Sequence, residues 1–276
     1  MLIAHAPFRP LAATLLITLP ASLLAALPAA ADSAPETATN AVPVATAEPA
    51  AVLSHTNTVT AAATENRLTL QPFTVHYKTR YELGWFSFDI EGKRQLERLD
   101  NNRWRFTFDA EASIATLHES TEFSLQEQQL QPLLYRYQTT GFLNTPTQTV
   151  LFAPARQEIT DAQNNKLYKD IWQPGVQDSL SYMLQASLDL AQGKTELNYP
   201  VFDEDKIREH RFVVVGEEPL DTAIGQLQAI KVQQIRSSNK RQLFAWFSPR
   251  HQYQLIRLAY YEKGKLRYQI DVSGIE

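Results

Sequence analysis

Apolar and polar residues alternate strictly at the start of the core: Phe73, Val75, Tyr77, Thr79 and Tyr81 fall on one face, and Thr74, His76, Lys78 and Arg80 on the other. A period of two places successive side chains on opposite faces of a pleated strand, so this run predicts a half-buried strand. The same period recurs in Trp85, Phe86, Phe88 and Ile90, in Trp104, Phe106, Phe108 and Ala110, in Phe123 and Leu125, and in Leu133, Tyr135 and Tyr137. Asp100-Asn101-Asn102 supplies turn residues between two of these runs, which predicts an antiparallel meander. From Asp178 to Gln192 the period changes. Leu180, Met183, Leu184, Ser187, Leu188 and Ala191 form one helical stripe, with Asp178 as a candidate N-cap and Gly193 as the residue that ends the helix. Strands then resume at Arg211–Val215, Ala229–Ile235, Gln242–Phe247, Tyr253–Tyr260 and Lys265–Val272, with Ser237-Ser238-Asn239 and Lys263-Gly264 as hairpin connections. The pattern predicts a mainly β fold of about ten strands with one main helix: a strongly curved antiparallel sheet or incomplete β-barrel, with the helix packed on it or capping it.

Two N-terminal segments lack this pattern. Residues 1–31 combine Arg9, an apolar run from Leu11 to Leu27 and Ala29-Ala30-Ala31, the layout of an export signal cleaved after Ala31. Seventeen residues interrupted by Pro20 make a poor permanent span, since a membrane helix needs about 20. Residues 32–66 are rich in Ala, Thr and Pro and almost free of aromatics, which predicts a disordered tether because little apolar surface is available to offset ordering. Residues 67–276 form the single antiparallel β domain. The expected location is the periplasm of a Gram-negative cell, reached through the signal peptide, with no span after cleavage.

Composition removes several function classes. The chain has no cysteine, so neither a lipoprotein anchor, a disulfide nor thiolate chemistry is available. After Ala31 there are 25 basic and 30 acidic residues, a net charge of −5 that gives no electrostatic footprint for nucleic acid. No Gly-x-Ser-x-Gly elbow or His-Glu-x-x-His pair is present, and His76, His118, His210 and His251 lack metal-ligand spacing. Asp203-Glu204-Asp205 with Glu209-His210 departs from a calcium loop because Ile207 stands where an oxygen ligand is required, and reads as a solvated loop. No catalytic residue, cofactor or metal is predicted.

Several segments taken together resemble a known family: Tyr81-Glu82-Leu83-Gly84-Trp85, Glu122-Phe123-Ser124-Leu125 with Gln131-Pro132-Leu133-Leu134-Tyr135-Arg136-Tyr137, Gln177-Asp178-Ser179-Leu180-Ser181, Tyr199-Pro200-Val201, Arg211 to Gly216 and Trp246-Phe247-Ser248-Pro249. Their order and spacing, over about Pro72 to Val272, are similar to the exported family called domain of unknown function 3108. The resemblance implies a Gram-negative periplasmic protein with a mostly antiparallel sheet and carries over no catalytic residue. A more distant similarity, of architecture only, is to periplasmic lipoprotein carriers, whose curved sheet and helical lid enclose an apolar cavity.

The candidate ligand-binding residues are therefore the strand aromatics Tyr77, Tyr81, Trp85, Trp104, Phe106, Tyr135 and Tyr137, with Arg136 and Arg211 as possible anion contacts inside apolar runs. The arginines could instead lie on the outer face or pair with Glu122 or Asp109, and the aromatics could fill the interior rather than line it. The leading function is a non-catalytic binding or carrier protein for an apolar or lipid-like envelope ligand, a reading that a filled interior opposes. The alternative is an interaction protein that supports an envelope assembly by adding a partner strand along an exposed edge such as Gln242–Phe247. A hydrolase of envelope polymers ranks last, because it requires two carboxylates converging in a cleft.

Overall fold

A computed structural model describes residues 67–83, 86–141 and 145–276, with backbone alone for residues 80–83 and 86–88. The export signal and tether expected over residues 1–66 lie outside the described residues, as does Trp85. The elements in chain order are β1 (Phe73–Leu83), β2 (Phe86–Arg98), β3 (Arg103–Ala112), β4 (Ala115–Gln126), β5 (Gln129–Gly141), β6 (Gln148–Ala153), β7 (Glu158–Asp161), β8 (Lys166–Tyr168), α1 (Ser181–Ala191), β9 (Glu196–Asp203), β10 (Lys206–Thr222), β11 (Gly225–Gln234), β12 (Arg241–Ser248), β13 (Gln254–Glu262) and β14 (Lys265–Ile275).

All fourteen strands join one sheet in the order β8-β7-β6-β5-β4-β3-β2-β1-β14-β13-β12-β11-β10-β9. This is more than the ten or so that alternation indicates, and the reason is local. β6 to β8 are short, and β4, β9 and β10 carry polar residues on inward positions that break the apolar rhythm. The topology is two antiparallel meanders, β1 to β8 and β9 to β14, joined where the first and last strands pair through Val75↔Ile275 to Lys78↔Asp271. Gln242–Phe247 is accordingly not an edge: β12 is paired on one side with β11 and on the other with β13, and β8 and β9 are the edges.

The connections follow turn chemistry. Asn101-Asn102 and Lys263-Gly264 take positive φ, the type I′ geometry whose twist matches paired antiparallel strands. Register shifts at Tyr77, Phe123, Gly216, Phe247 and Tyr261 add bulges, which increase twist and help the sheet to curl. The curl brings the two edges together through side chains rather than a ladder. Tyr168 of β8 meets Phe202 of β9 edge-on at 5.3 Å, and Phe152 of β6 meets the same ring at 6.3 Å. Between these edges, Gln177 pairs its backbone with Pro200 and Phe202 of β9, while its side-chain amide donates to the Leu130 carbonyl of β5 at 3.0 Å. One residue thus fastens both halves.

The link from β8 to β9 carries α1 into the curl, and all eleven residues of the helix are buried. The helix starts at Ser181 with Leu180 at its N-cap, two residues after the expected Asp178, which still makes the capping bonds, and its end is the one expected from sequence. The Asp178 carboxylate accepts from the backbone N–H groups of Leu180 and Ser181 (2.9 and 2.7 Å), and the Asp178 N–H donates back to Ser181 Oγ. At the other end Gly193 (φ +79°) donates to the Leu190 carbonyl and Lys194 to that of Asp189, a Schellman arrangement. The stripe correctly locates the helix but understates its burial: α1 is a plug with apolar and polar residues enclosed on every side, not a lid with a wet outer face.

Candidate functional site

The interior is where the inward faces of the strands meet α1. On β1 the alternation holds, with Phe73, Val75 and Tyr77 buried. Tyr77 donates from its hydroxyl to the Leu255 carbonyl at 2.7 Å, and burial pushes its pKa up to about 12. Trp104 and Phe106 are buried on β3, Phe106 edge-on to Phe73 at 6.0 Å. Tyr135 is buried on β5, whereas Tyr137 is only half-buried and bonds through its hydroxyl to Thr145. Tyr77, Trp104, Phe106 and Tyr135 therefore belong to one packed core, and Tyr81 and Trp85 lie among the side chains outside the described set.

Arg136 and Arg211 point to the exposed face of the sheet, away from these rings. Glu122 and Asp109 serve other cations: Glu122 binds Arg105 at 2.9 Å, and Asp109 binds His118 at 2.6 Å and Lys93 at 3.7 Å. Asp203 is a correction of another kind. It is buried at the end of β9 and ion-paired with Arg208, and Glu204-Asp205 make the tight turn into β10, so this acidic run is a hairpin rather than an open loop. Among the described residues no group of three His, Cys, Asp or Glu is placed to hold a metal ion.

The interior holds a polar cluster that the alternation of aromatics did not single out. Arg94 of β2, half-buried, lies between Ile90 and Leu96 on the inward-facing side, with its guanidinium 5.6 Å from the Phe106 ring centre and 6.0 Å from that of Phe108. It makes no ion pair among the described residues. Deeper in, fully buried Glu119 of β4 accepts from the Tyr135 hydroxyl at 2.6 Å, and its second oxygen has no hydrogen-bond partner among the described residues. Desolvation pushes the Glu119 pKa up to about 8, so the carboxyl is neutral at pH 7. Two residues on, Thr121 donates to the second oxygen of Asp178 at 2.6 Å. Burial raises the Asp178 pKa as well, against the opposing pull of its four donors from Thr121, Leu180 and Ser181. Two carboxyl groups thus do converge, but inside the fold, where Glu119 and Asp178 are 0% and 1% exposed.

Along α1 the polar contacts continue. Gln185 accepts from the Leu130 N–H (2.8 Å) and donates to the Gln128 carbonyl (3.0 Å), and Asp189 accepts from Lys194 (2.6 Å) and Tyr199 (2.9 Å). The opposite flank of the helix is chiefly packed: Tyr182 stacks on Phe212 and meets His210 edge-on at 5.1 Å. Between Arg94, Tyr77, Phe108, Ser179, Tyr182 and Met183 there remains a void of about 20 Å³. That admits about one water molecule and no acyl chain. Among the described residues Tyr77, Trp104, Phe106 and Tyr135 thus pack within the core rather than around an open cavity at this point.

Comparison with known proteins fits this architecture. No curated protein matches the chain in sequence. Among solved structures, a β-barrel-like protein of domain of unknown function DUF1849 from Brucella abortus superposes with a TM-score of 0.54 at 7% identity, over 76% of this chain and 98% of that one, which shows a shared fold and nothing about activity. A DUF1089 family protein from Pseudomonas aeruginosa (TM-score 0.34, 12% identity, 60% and 87% covered) and a putative outer membrane lipoprotein-sorting protein domain from Vibrio parahaemolyticus (0.24, 8%, 78% and 88%) overlap too loosely to establish a common fold. No helix of the described residues is long and apolar enough to cross a membrane. The profile of the family described as Protein of unknown function (DUF3108) matches residues 72–271, well over half of the sequence and nearly all of the sheet, and the chain belongs to that family.

Proposed function

We propose that this protein is a non-catalytic binding protein of the cell envelope, exported through residues 1–31, that takes an amphipathic ligand between α1 and the sheet. The observation that carries this reading is Arg94: a half-buried guanidinium on the inner face, without a carboxylate partner among the described residues, beside a void lined by Tyr77, Tyr182 and Met183. A cation kept in such a place is costly unless something anionic completes it. Glu119, neutral and with one oxygen unpartnered, adds a second group able to serve a polar head. The filled interior opposes a preformed lipid cavity, so the reading requires the N-terminal half of α1 to withdraw when ligand enters. The void between helix and sheet is where that opening would begin.

The test is native purification of residues 32–276 from periplasm, followed by mass spectrometry of an organic extract, for the wild type and Arg94→Met. Near-stoichiometric amphiphile in the wild type, reduced at least tenfold in the variant, supports the reading. An empty wild-type protein overturns it and leaves the envelope-assembly role.

A further inference from the structure

Four of the residues that line the small void beside the start of α1 carry polar side chains: Tyr77, Arg94, Ser179 and Tyr182. Two of them are engaged within the protein. Tyr77 donates to the Leu255 carbonyl, and the Ser179 hydroxyl bonds to that of Tyr135. The other two are not. Tyr182 is 1% exposed, yet its hydroxyl makes no hydrogen bond among the described residues, and burial raises its pKa so that it stays a protonated donor. Arg94 lies over the rings of Phe106 and Phe108 and has no carboxylate partner among the described residues. Buried polar groups are as a rule paired, so an unpartnered hydroxyl beside an unpaired guanidinium is the protein's half of a binding site.

The two free groups define what completes them. Both donate, and Arg94 cannot accept, so the ligand presents acceptor oxygens. Arg94 brings one positive charge, and no other cation is among the described residues lining the void. Glu119 acts electrostatically on Tyr182, and Asp178 on Glu119, so a second negative charge here would face carboxyl groups instead of a second cation. A planar group with two oxygens and a single charge matches a guanidinium fork with a hydroxyl beside it, whereas a phosphate brings a charge of roughly −1.5 to −2 and three oxygens. The rest of the lining is apolar. Leu180, Met183, Leu258 and Ile270 border the same void, and Met183 is unbranched and repacks readily around a chain.

We propose that the ligand is a long-chain carboxylate, its head held between Arg94 and the Tyr182 hydroxyl and its chain laid along Met183, Leu258 and Ile270. The proposal rests on the binding role argued above and adds to it a ligand class and a residue, Tyr182, that selects the head. Because the Tyr182 hydroxyl has no partner in the empty protein, Tyr182→Phe removes a contact made only with ligand bound. The ring keeps its stacking on Phe212, so the fold is not weakened.

The experiment titrates residues 32–276 at pH 7 with dodecanoate, dodecyl phosphate and acetate in a calorimeter. Dodecanoate binds saturably at one site per chain, at least tenfold tighter than either of the others. Tyr182→Phe, with a Tm no lower than that of the wild type, weakens dodecanoate about tenfold, the effect of one lost hydrogen bond to a charged group, and Arg94→Met weakens it further. Three results overturn the assignment: dodecyl phosphate bound as tightly as dodecanoate, dodecanoate bound no tighter than acetate, or full dodecanoate affinity in Tyr182→Phe. The first leaves the binding role intact, whereas binding of neither dodecyl chain removes that role and the assignment together.

Discussion

The two flanks of α1 do different work. Toward β4 and β5 the helix is tied by hydrogen bonds: Asp178 to Thr121, Gln185 to Leu130 and Gln128, and Gln177 just upstream to Leu130. Toward β9 and β10 it is held mainly by packing, with Tyr182 against Tyr199, His210 and Phe212, and the Tyr199 hydroxyl adds one hydrogen bond to Asp189 near its C-terminal end. Burial of apolar surface is strong but non-directional, and buried hydrogen bonds are individually modest but fix geometry. The difference implies that one flank holds the plug in and the other sets its rotation and depth.

Truncation on each side separates these roles. Tyr182→Ala removes a ring that is 1% exposed and leaves a cavity among aromatic partners, with an expected loss of about 4 kcal/mol in denaturant unfolding. Asp178→Ala deletes the helix cap and strands the Thr121 hydroxyl, with an expected loss of about 2 kcal/mol. Equal losses would mean that packing and tethering are not divided between the flanks. The tether has a second readout that packing lacks: Asp178→Ala speeds hydrogen exchange at Leu180 and Ser181 more than it lowers global stability.

The flanks also titrate with opposite sign. Glu119, beside Tyr135 and Asp178 and within the field of Arg94, has its pKa raised by burial to about 8. The unfolded carboxyl ionises near pH 4.5 while the native one cannot, so its contribution to stability is complete below pH 4.5 and is lost as pH rises to about 8. His210, edge-on to Tyr182, has its pKa lowered to about 4 by burial and by Arg236 and Arg208. Its contribution is complete above pH 6.5 and is lost as pH falls toward 4. Across its window the effect amounts to about 5 kcal/mol for Glu119 and about 3 kcal/mol for His210. Between pH 4.5 and 6.5 they offset, which hides both in the wild type. Glu119→Gln should therefore gain on the wild type as pH rises from 4.5 to 8, and His210→Gln should gain as pH falls from 6.5 to 4. Unfolding curves of both variants whose difference from wild type is flat with pH would show that these groups are solvated.

How much of this was legible depends on where polar residues fall. The apolar alternation of β1 and β3 and the stripe of α1 were readable because nearly every inward position is apolar, with Thr79 and Ser187 the small polar exceptions. On β4 the inward series is Leu117, Glu119, Thr121 and Phe123, and only its last part reads as a strand. On β2 it is Ile90, Gly92, Arg94 and Leu96. The residues that interrupt the rhythm are the interior polar cluster. A charged or hydroxyl residue at an inward parity position was the available signal, and it points to Arg94 and Glu119 better than the aromatics do. The strand partners of Gln185 and Asp178 were not readable at all, since they lie 55 to 57 residues away on strands whose placement only the curl decides.

The smallest effect concerns the tie to β5. Glu127-Gln128 joins β4 to β5 with φ of +48° and +69°, and neither residue type favours that region, which is why this turn escaped notice where Asn101-Asn102 and Lys263-Gly264 did not. The Gln128 carbonyl is also the acceptor for Gln185, so the strained turn positions one anchor of the plug. Gln128→Gly keeps that carbonyl and relieves the left-handed conformation, at the cost of a more flexible unfolded chain, for a net gain of about 0.5 kcal/mol or a rise in Tm of about 1–2 °C. Loss of stability instead would mean that the Gln128 side chain, not its backbone, holds the turn, and that the hydrogen-bonded flank extends further from α1 than the helix contacts indicate.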